Sequence, residues 1–176
     1  MAFGGLPPDQ RVLTEIGYRP VEELLVGIRV ATAAQRLCPV VDLIRREVRG
    51  GWLYRVRTAT GNLLRASDGQ SVLVRRREGR PEWVPLVGVE PGDLLAIVGG
   101  VALGWEAEVF PWRSRPGYPS DGARAFVAVE ERPMYRGVSW VPIQEVDGAP
   151  YCGSLLSLQI DGEHSVVSDG VVIADG

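Results

Sequence analysis

The chain has 176 residues, 45% of them apolar and 23% charged, which is enough to bury a core as one domain and too apolar for a disordered chain. Its formal charge of −3 supplies no global attraction to nucleic acid or to an anionic membrane, both of which ask for a basic face. No run approaches the roughly 18 apolar residues of a membrane span, and the first residues lack the charged head and apolar stretch of an export signal, so the expectation is a protein that is neither secreted nor membrane-bound.

Short apolar alternations recur between turn signals and predict strands over 11–14, 52–58, 63–67, 71–76, 94–98, 139–146, 155–160 and 171–173. After the first strand, Pro20 with Glu22 and Glu23 predicts one short helical turn over 21–25. Gly50-Gly51, Gly61-Asn62, Gly79-Arg80-Pro81, Asp147-Gly148, Asp161-Gly162 and Asp169-Gly170 predict the turns. The fold class that follows is all-β, built of hairpins. Residues 99–124 carry Gly, Pro and Trp with little periodicity and read as an insertion or surface arm on a single domain spanning 1–176.

Within this pattern lies a weak repeat. Val21, Leu24, Gly27 and Val30 return as Leu86, Val89, Gly92 and Leu95, the same types at the same spacing. Two copies of strand, turn and strand predict a pseudo-two-fold fold, because each copy leaves an apolar face that needs its mate. All basic residues are arginine and Asn62 is the only asparagine, a usage that points to a GC-rich and thermophilic source. Cys38 and Cys152 lack CxxC spacing and are read as buried small hydrophobes in a reduced compartment, which together with the missing export signal gives a cytoplasmic expectation.

Three blocks in order resemble inteins and the wider Hint (hedgehog/intein) family. The first runs from Leu6 through Thr14 to Gly17 and Pro20-Val21-Glu22-Glu23-Leu24, the second from Leu64 to Val74, then Trp83 and Gly92-Asp93, and the closing blocks from Val141 through Tyr151, Leu158 and His164 to Gly170-Val171-Val172-Ile173. The resemblance covers most of the chain outside 99–138. It implies a Hint-type fold whose two ends lie side by side, since the family's reaction joins them, and an insertion point between the second and closing blocks.

The same resemblance implies that the reacting groups are gone. Splicing starts from a Cys or Ser nucleophile, and Gly5 stands there. The family's Thr and His of the second block are matched by Ser67 and Gln70, and glutamine cannot shuttle a proton near neutral pH. An acidic residue of the closing block is matched by Ser157. The terminal His-Asn and following nucleophile are matched by Ala174, Asp175 and Gly176, none of which can cyclise or accept an acyl group. Only His164, the single histidine, falls at a family position, where it is read as packing in a turn once its Asn is absent, and a pairing of Cys152 with His164 is not expected.

Other chemistries find less support. One His and two distant Cys do not make a zinc site, the glycines match neither a P-loop nor a dinucleotide fingerprint, and scattered acids suit a surface better than a glycosidase pair, so no cofactor and no metal is expected. Arg75, Arg76, Arg77 and Arg80 read as a solvated hairpin tip rather than a phosphate site. Trp105, Phe110, Trp112, Arg113, Arg115 and Tyr118 in the arm are residue types enriched at protein interfaces and are the candidate partner contact, the alternative being that they fold back on the barrel. The functional expectation is a non-catalytic, domesticated intein-like module that binds an unidentified protein or serves as a structural component, in the cytoplasm or in a phage or mobile-element assembly. Met1–Gly4 alone precede Gly5 and Gly176 alone follows Asp175, which leaves little flanking protein to join. The alternative expectation is an autoprocessing domain, splicing or self-cleaving, with altered or deliberately replaced catalytic residues.

Overall fold

The computed structural model describes residues 3–76, 79–98 and 138–176. The strands are β1 Arg11–Thr14, β2 Gly17–Pro20, β3 Arg29–Ala31, β4 Leu37–Thr58, β5 Leu63–Ser67, β6 Ser71–Arg75, β7 Glu82–Pro85, β8 Leu94–Val98, β9 Val138–Ile160, β10 Ser165–Ser168 and β11 Val171–Ala174. The helical turn expected after Pro20 is a 3₁₀ turn, Val21–Glu23, and a second follows Pro85 at Leu86–Gly88. Among the described residues there is no α-helix, and no helix is long and apolar enough to cross a membrane.

Two of the expected turns are absent. Gly50-Gly51 and Asp147-Gly148 lie inside β4 and β9, which pair antiparallel from Val40↔Ile160 to Thr58↔Ile143 as one long ribbon. At Gly50, with φ +92°, the register slips between Arg49 and Gly51, so the glycine marks a bulge rather than a reversal. Gly148 sits where a Cβ would meet the Tyr54 ring at 3.2 Å; the missing side chain lets an aromatic ring lie across the ribbon.

The repeat is visible as matched hydrogen bonds. Gln10 N–H donates to Pro7 O and Gln70 N–H to Ser67 O, both at 3.0 Å; Val21 N–H donates to Gln10 O (2.8 Å) and Leu86 N–H to Gln70 O (2.9 Å). Glu22 N–H to Pro8 O is mirrored by Val87 N–H to Asp68 O, and Gly27 N–H to Val40 O by Gly92 N–H to Ile143 O. Gly27 and Gly92 share left-handed backbone, φ +96° and +95°, which a side chain resists. The unit from Gln10 through β1, β2 and the 3₁₀ turn to β3 is therefore repeated from Gln70 through β6, β7 and the second turn to β8.

Burial follows the same symmetry. Val21, Leu24 and Val30 are buried, and so are Leu86, Val89 and Leu95. A secondary apolar cluster holds Leu13 with Leu73, Ala31 with Ala96, Ala33 with Val98, and Val167 with Val172, the last two cross-strand partners in the β10–β11 hairpin. Each buried valine or leucine among them contributes about 1.5–3 kcal/mol on leaving water, and the cluster draws on both halves. Of the strands at the sheet margins, β2 and β7 both end in proline, which lacks the N–H that a further strand would pair with.

Candidate functional site

Both ends of the chain dock on one stretch of β9. Leu6 and Leu156 exchange backbone hydrogen bonds of 2.8 Å in each direction, and Gly176 N–H donates to Leu158 O at 2.6 Å. This places the chemistry-bearing positions of the sequence together at one point of the fold.

Gly5 is buried there. Its N–H donates to Ser67 Oγ at 2.9 Å, its carbonyl accepts from Ser67 N–H at 2.9 Å, and Ser67 Oγ–H donates to Phe3 O at 2.6 Å. Ser67 stands at the end of β5 and clamps the backbone on both sides of the Gly4–Gly5 bond. A Cβ at Gly5 would lie 3.1 Å from Leu155 Cβ and 3.1 Å from the Phe3 ring, while the Arg46 guanidinium covers that ring at 4.2 Å.

Gln70 spans the two ends. Its Nε2 donates to Ala174 O at 2.8 Å and to Ser71 O at 3.2 Å, while its Oε1 closes the space beside Gly4, 3.4 Å from where a Cβ would stand. A single side-chain amide thus ties the entering segment to the leaving one. Asp175 donates its N–H to His164 O and accepts from Ile160 N–H at 3.3 Å through Oδ2; its Oδ1 lies 3.4 Å from His164 Nδ1. His164 does not pack as the sequence reading expects: its side chain is 92% exposed and faces Asp175 from the turn after β9.

Ser157 is the exception in this otherwise satisfied cluster. It is buried, and its Oγ has no hydrogen-bond partner among the described residues. A Cβ on Gly176 would overlap that oxygen, so in this arrangement position 176 has room only for glycine. Chemically the site offers two hydroxyls, one neutral amide and one exposed His–Asp pair, all against backbone.

The other sequence candidates fall elsewhere. Cys38 is buried, and burial first, then the Glu163 charge, pushes its thiol above the ordinary value. Cys152 is exposed, contrary to the expectation of a buried hydrophobe, and lies opposite Arg49 on the ribbon. Arg76 is tied to Gly88 O at 2.7 Å and lies 3.6 Å from both Glu82 and Asp93, and Arg75 covers the Trp140 ring. Trp105, Phe110, Trp112, Arg113, Arg115 and Tyr118, with the whole 99–124 arm, lie outside the described residues.

One structural residue went unread in the sequence. Gln10, buried as deeply as Gln70, is its counterpart in the first half, with its Nε2 donating to Ser168 Oγ (3.0 Å) and Asp169 Oδ2 (2.9 Å) and its Oε1 accepting from Arg65 N–H (3.1 Å). The match is hidden because the β6–β7 hairpin is longer than β1–β2, so a repeat sought at one fixed offset stops short of the glutamines.

No protein-family model and no curated protein matches the sequence. Solved structures do. An intein from a hyperthermophile aligns over 98% of this chain and 100% of its own, with a TM-score of 0.69 at 15% identity. A DnaB intein from Synechocystis aligns over 99% of each chain with a TM-score of 0.66 at 12% identity, and the gp41-1 intein over 98% of this chain and 99% of its own with a TM-score of 0.63 at 12% identity. With its matched half-repeats, long two-stranded ribbon and ends that meet on β9, the chain has the Hint fold of inteins.

Proposed function

We propose that this chain is an intein-fold module that no longer splices and works by binding a protein partner or as a structural component. The observation that carries the reading is the chemistry of the groups at the meeting of the ends. Gly5 presents no nucleophile, the Gln70 amide is committed to the Ala174 carbonyl, and Asp175 offers a carboxylate where cyclisation needs an amide nitrogen. The hydrogen bonds of Ser67 and Gln70 hold the two ends in place, a role that keeps the fold closed without a reaction. The arm residues Trp105, Phe110, Trp112, Arg113, Arg115 and Tyr118 are the proposed partner contact, on composition alone.

A second reading, an autoprocessing domain with altered chemistry, is favoured by one observation: the Ser157 hydroxyl is buried and unpartnered beside Gly176. Intact-mass measurement on the full chain, fused at both ends to marker proteins and incubated for days, separates the two. The inert module keeps the full fusion mass; release of either marker, or a product joining the two, overturns it.

A further inference from the structure

The first half-repeat carries an open cleft of about 570 Å³ whose walls come from β1, β2, β4, β5 and the β10–β11 turn. It lies on the Gln10 side of the pseudo-two-fold, away from the meeting of the ends. Five of its lining residues are ionised: Arg11, Arg55 and Arg65 against Asp9 and Asp169.

The arginines are placed against their own electrostatics. Arg55 and Arg65 are direct cross-strand partners in the β4–β5 pair. Side chains so opposed have Cβ atoms about 5 Å apart, and like charges there are unfavourable. The carboxylates relieve this only in part. Asp9 meets Arg65 at 2.8 Å but its side chain is 66% exposed, which makes the pair weak and displaceable. Asp147 at 2.7 Å and Glu145 at 3.6 Å meet Arg55 from the opposite side, on β9 rather than β5. Arg11 bonds Asp169 at 2.6 Å, and Asp169 is itself fixed by Gln10.

The closest ion-pair contact of each of the three guanidiniums is made by Nη2. A guanidinium has five N–H donors in a planar fork suited to bidentate oxyanion binding. Three such forks lining a cleft the size of a small-molecule site form a receptor for negative charge. Since two of them face each other across one strand pair, the charge that fits best is itself paired.

We propose that this cleft binds a small ligand carrying two adjacent oxyanion groups, as in a diphosphate, with Arg55 and Arg65 as the facing pair and Arg11 as the third contact. Asp9 is displaced on binding, while Asp169 stays as the fixed partner of Arg11. Oxyanions at this site cancel the Arg55–Arg65 repulsion, so the ligand also stabilises the fold by mass action.

Calorimetric titration of the full chain at low ionic strength tests this, with inorganic pyrophosphate and ADP as separate probes. Saturable binding of pyrophosphate at one site is expected, with a rise in melting temperature, and tighter binding of ADP would mean that the cleft takes the nucleoside as well. The double variant Arg55→Gln/Arg65→Gln should weaken binding by about tenfold or more, and Arg57→Gln, also on β4 but outside the cleft, should leave it unchanged. Arg11→Gln, on a different strand, should weaken binding several-fold while leaving the facing pair intact. Absence of saturable pyrophosphate binding, or variants that bind as well as the parent chain, overturns the proposal.

Discussion

The two half-repeats use one backbone plan for different ends. Around Gln70 the surroundings are neutral, with Ser67, Gly4, Gly5 and Ala174, and the space is filled by the chain's own termini. Around Gln10 they are charged, with Arg11, Arg65 and Asp169, and the space is an open cleft. The backbone hydrogen bonds around the two glutamines match partner for partner. What is held constant between the halves is what the fold requires; what differs is free to serve function, and it differs most at the two glutamine sites.

The largest expected effect breaks the halves in turn. Leu24 and Leu86 are both 1% exposed, one beside each 3₁₀ turn. Leu24→Ala and Leu86→Ala should each cost about 2–5 kcal/mol in chemical denaturation, the range for truncating a packed leucine. A large loss in one and none in the other would show that the halves do not share the load.

Next come the glutamines. Gln10→Ala removes the acceptor of Arg65 N–H and one of the donors to Ser168 and Asp169, leaving the Arg65 N–H without its acceptor, at a cost of about 2–3 kcal/mol. Gln70→Ala removes one good bond to Ala174 O and a longer one to Ser71 O, so about 1–2 kcal/mol is expected. The order, Gln10 above Gln70, is what urea melts should return; the reverse order would mean that holding the ends together matters more to stability than the charged network.

The repeat was legible in the sequence where turns and apolar residues kept their spacing, from Val21 to Val30 and from Leu86 to Leu95. So were the positions that meet at the ends, because the resemblance orders them along the chain. The ribbon was not legible. Asp147-Gly148 carries the same turn signal as Asp161-Gly162 and Asp169-Gly170, yet Asp147 is paired with Arg55 and Gly148 makes room for Tyr54, so tertiary pairing overrides the local preference. The short strands β2, β3, β7 and β10 escaped because their residues show no alternation of apolar and polar positions, and their conformation is set by the neighbours they bond to. The cleft escaped because cross-strand opposition of Arg55 and Arg65 exists only once register is fixed.

A smaller effect sharpens the symmetry at the backbone. Gly27 and Gly92 have equivalent left-handed φ values, and a Cβ at either would meet nothing within 4 Å. Gly27→Ala and Gly92→Ala therefore isolate conformational cost from crowding, and each should lose about 1–2 kcal/mol in stability. Equal losses support the equivalence of the two turns; a difference beyond about 1 kcal/mol would mean that one turn relaxes where the other cannot.

The smallest expected effect lies on the cleft's rim. The Asp147 carboxyl is held below its ordinary value of 3.8, first by the hydrogen bond from Arg55. A carboxyl with a depressed folded value stabilises the fold above its unfolded value, and that contribution disappears as pH falls through the folded one. No change is therefore expected between neutral pH and about pH 5, and Asp147→Asn should flatten only the part of the stability profile below the ordinary carboxylate range. The group is fully exposed, so solvent screens the pair and the change in melting temperature should be slight. Removing Asp147 also takes away the nearer of the two β9 carboxylates that offset Arg55, Glu145 remaining at 3.6 Å, and leaves the Arg55–Arg65 opposition less compensated. At neutral pH and low salt, Asp147→Asn should then bind pyrophosphate more tightly than the parent chain, an increase that added salt should erase. Binding unchanged by this substitution would mean that Arg55 answers to Asp147 alone and contributes nothing to the cleft.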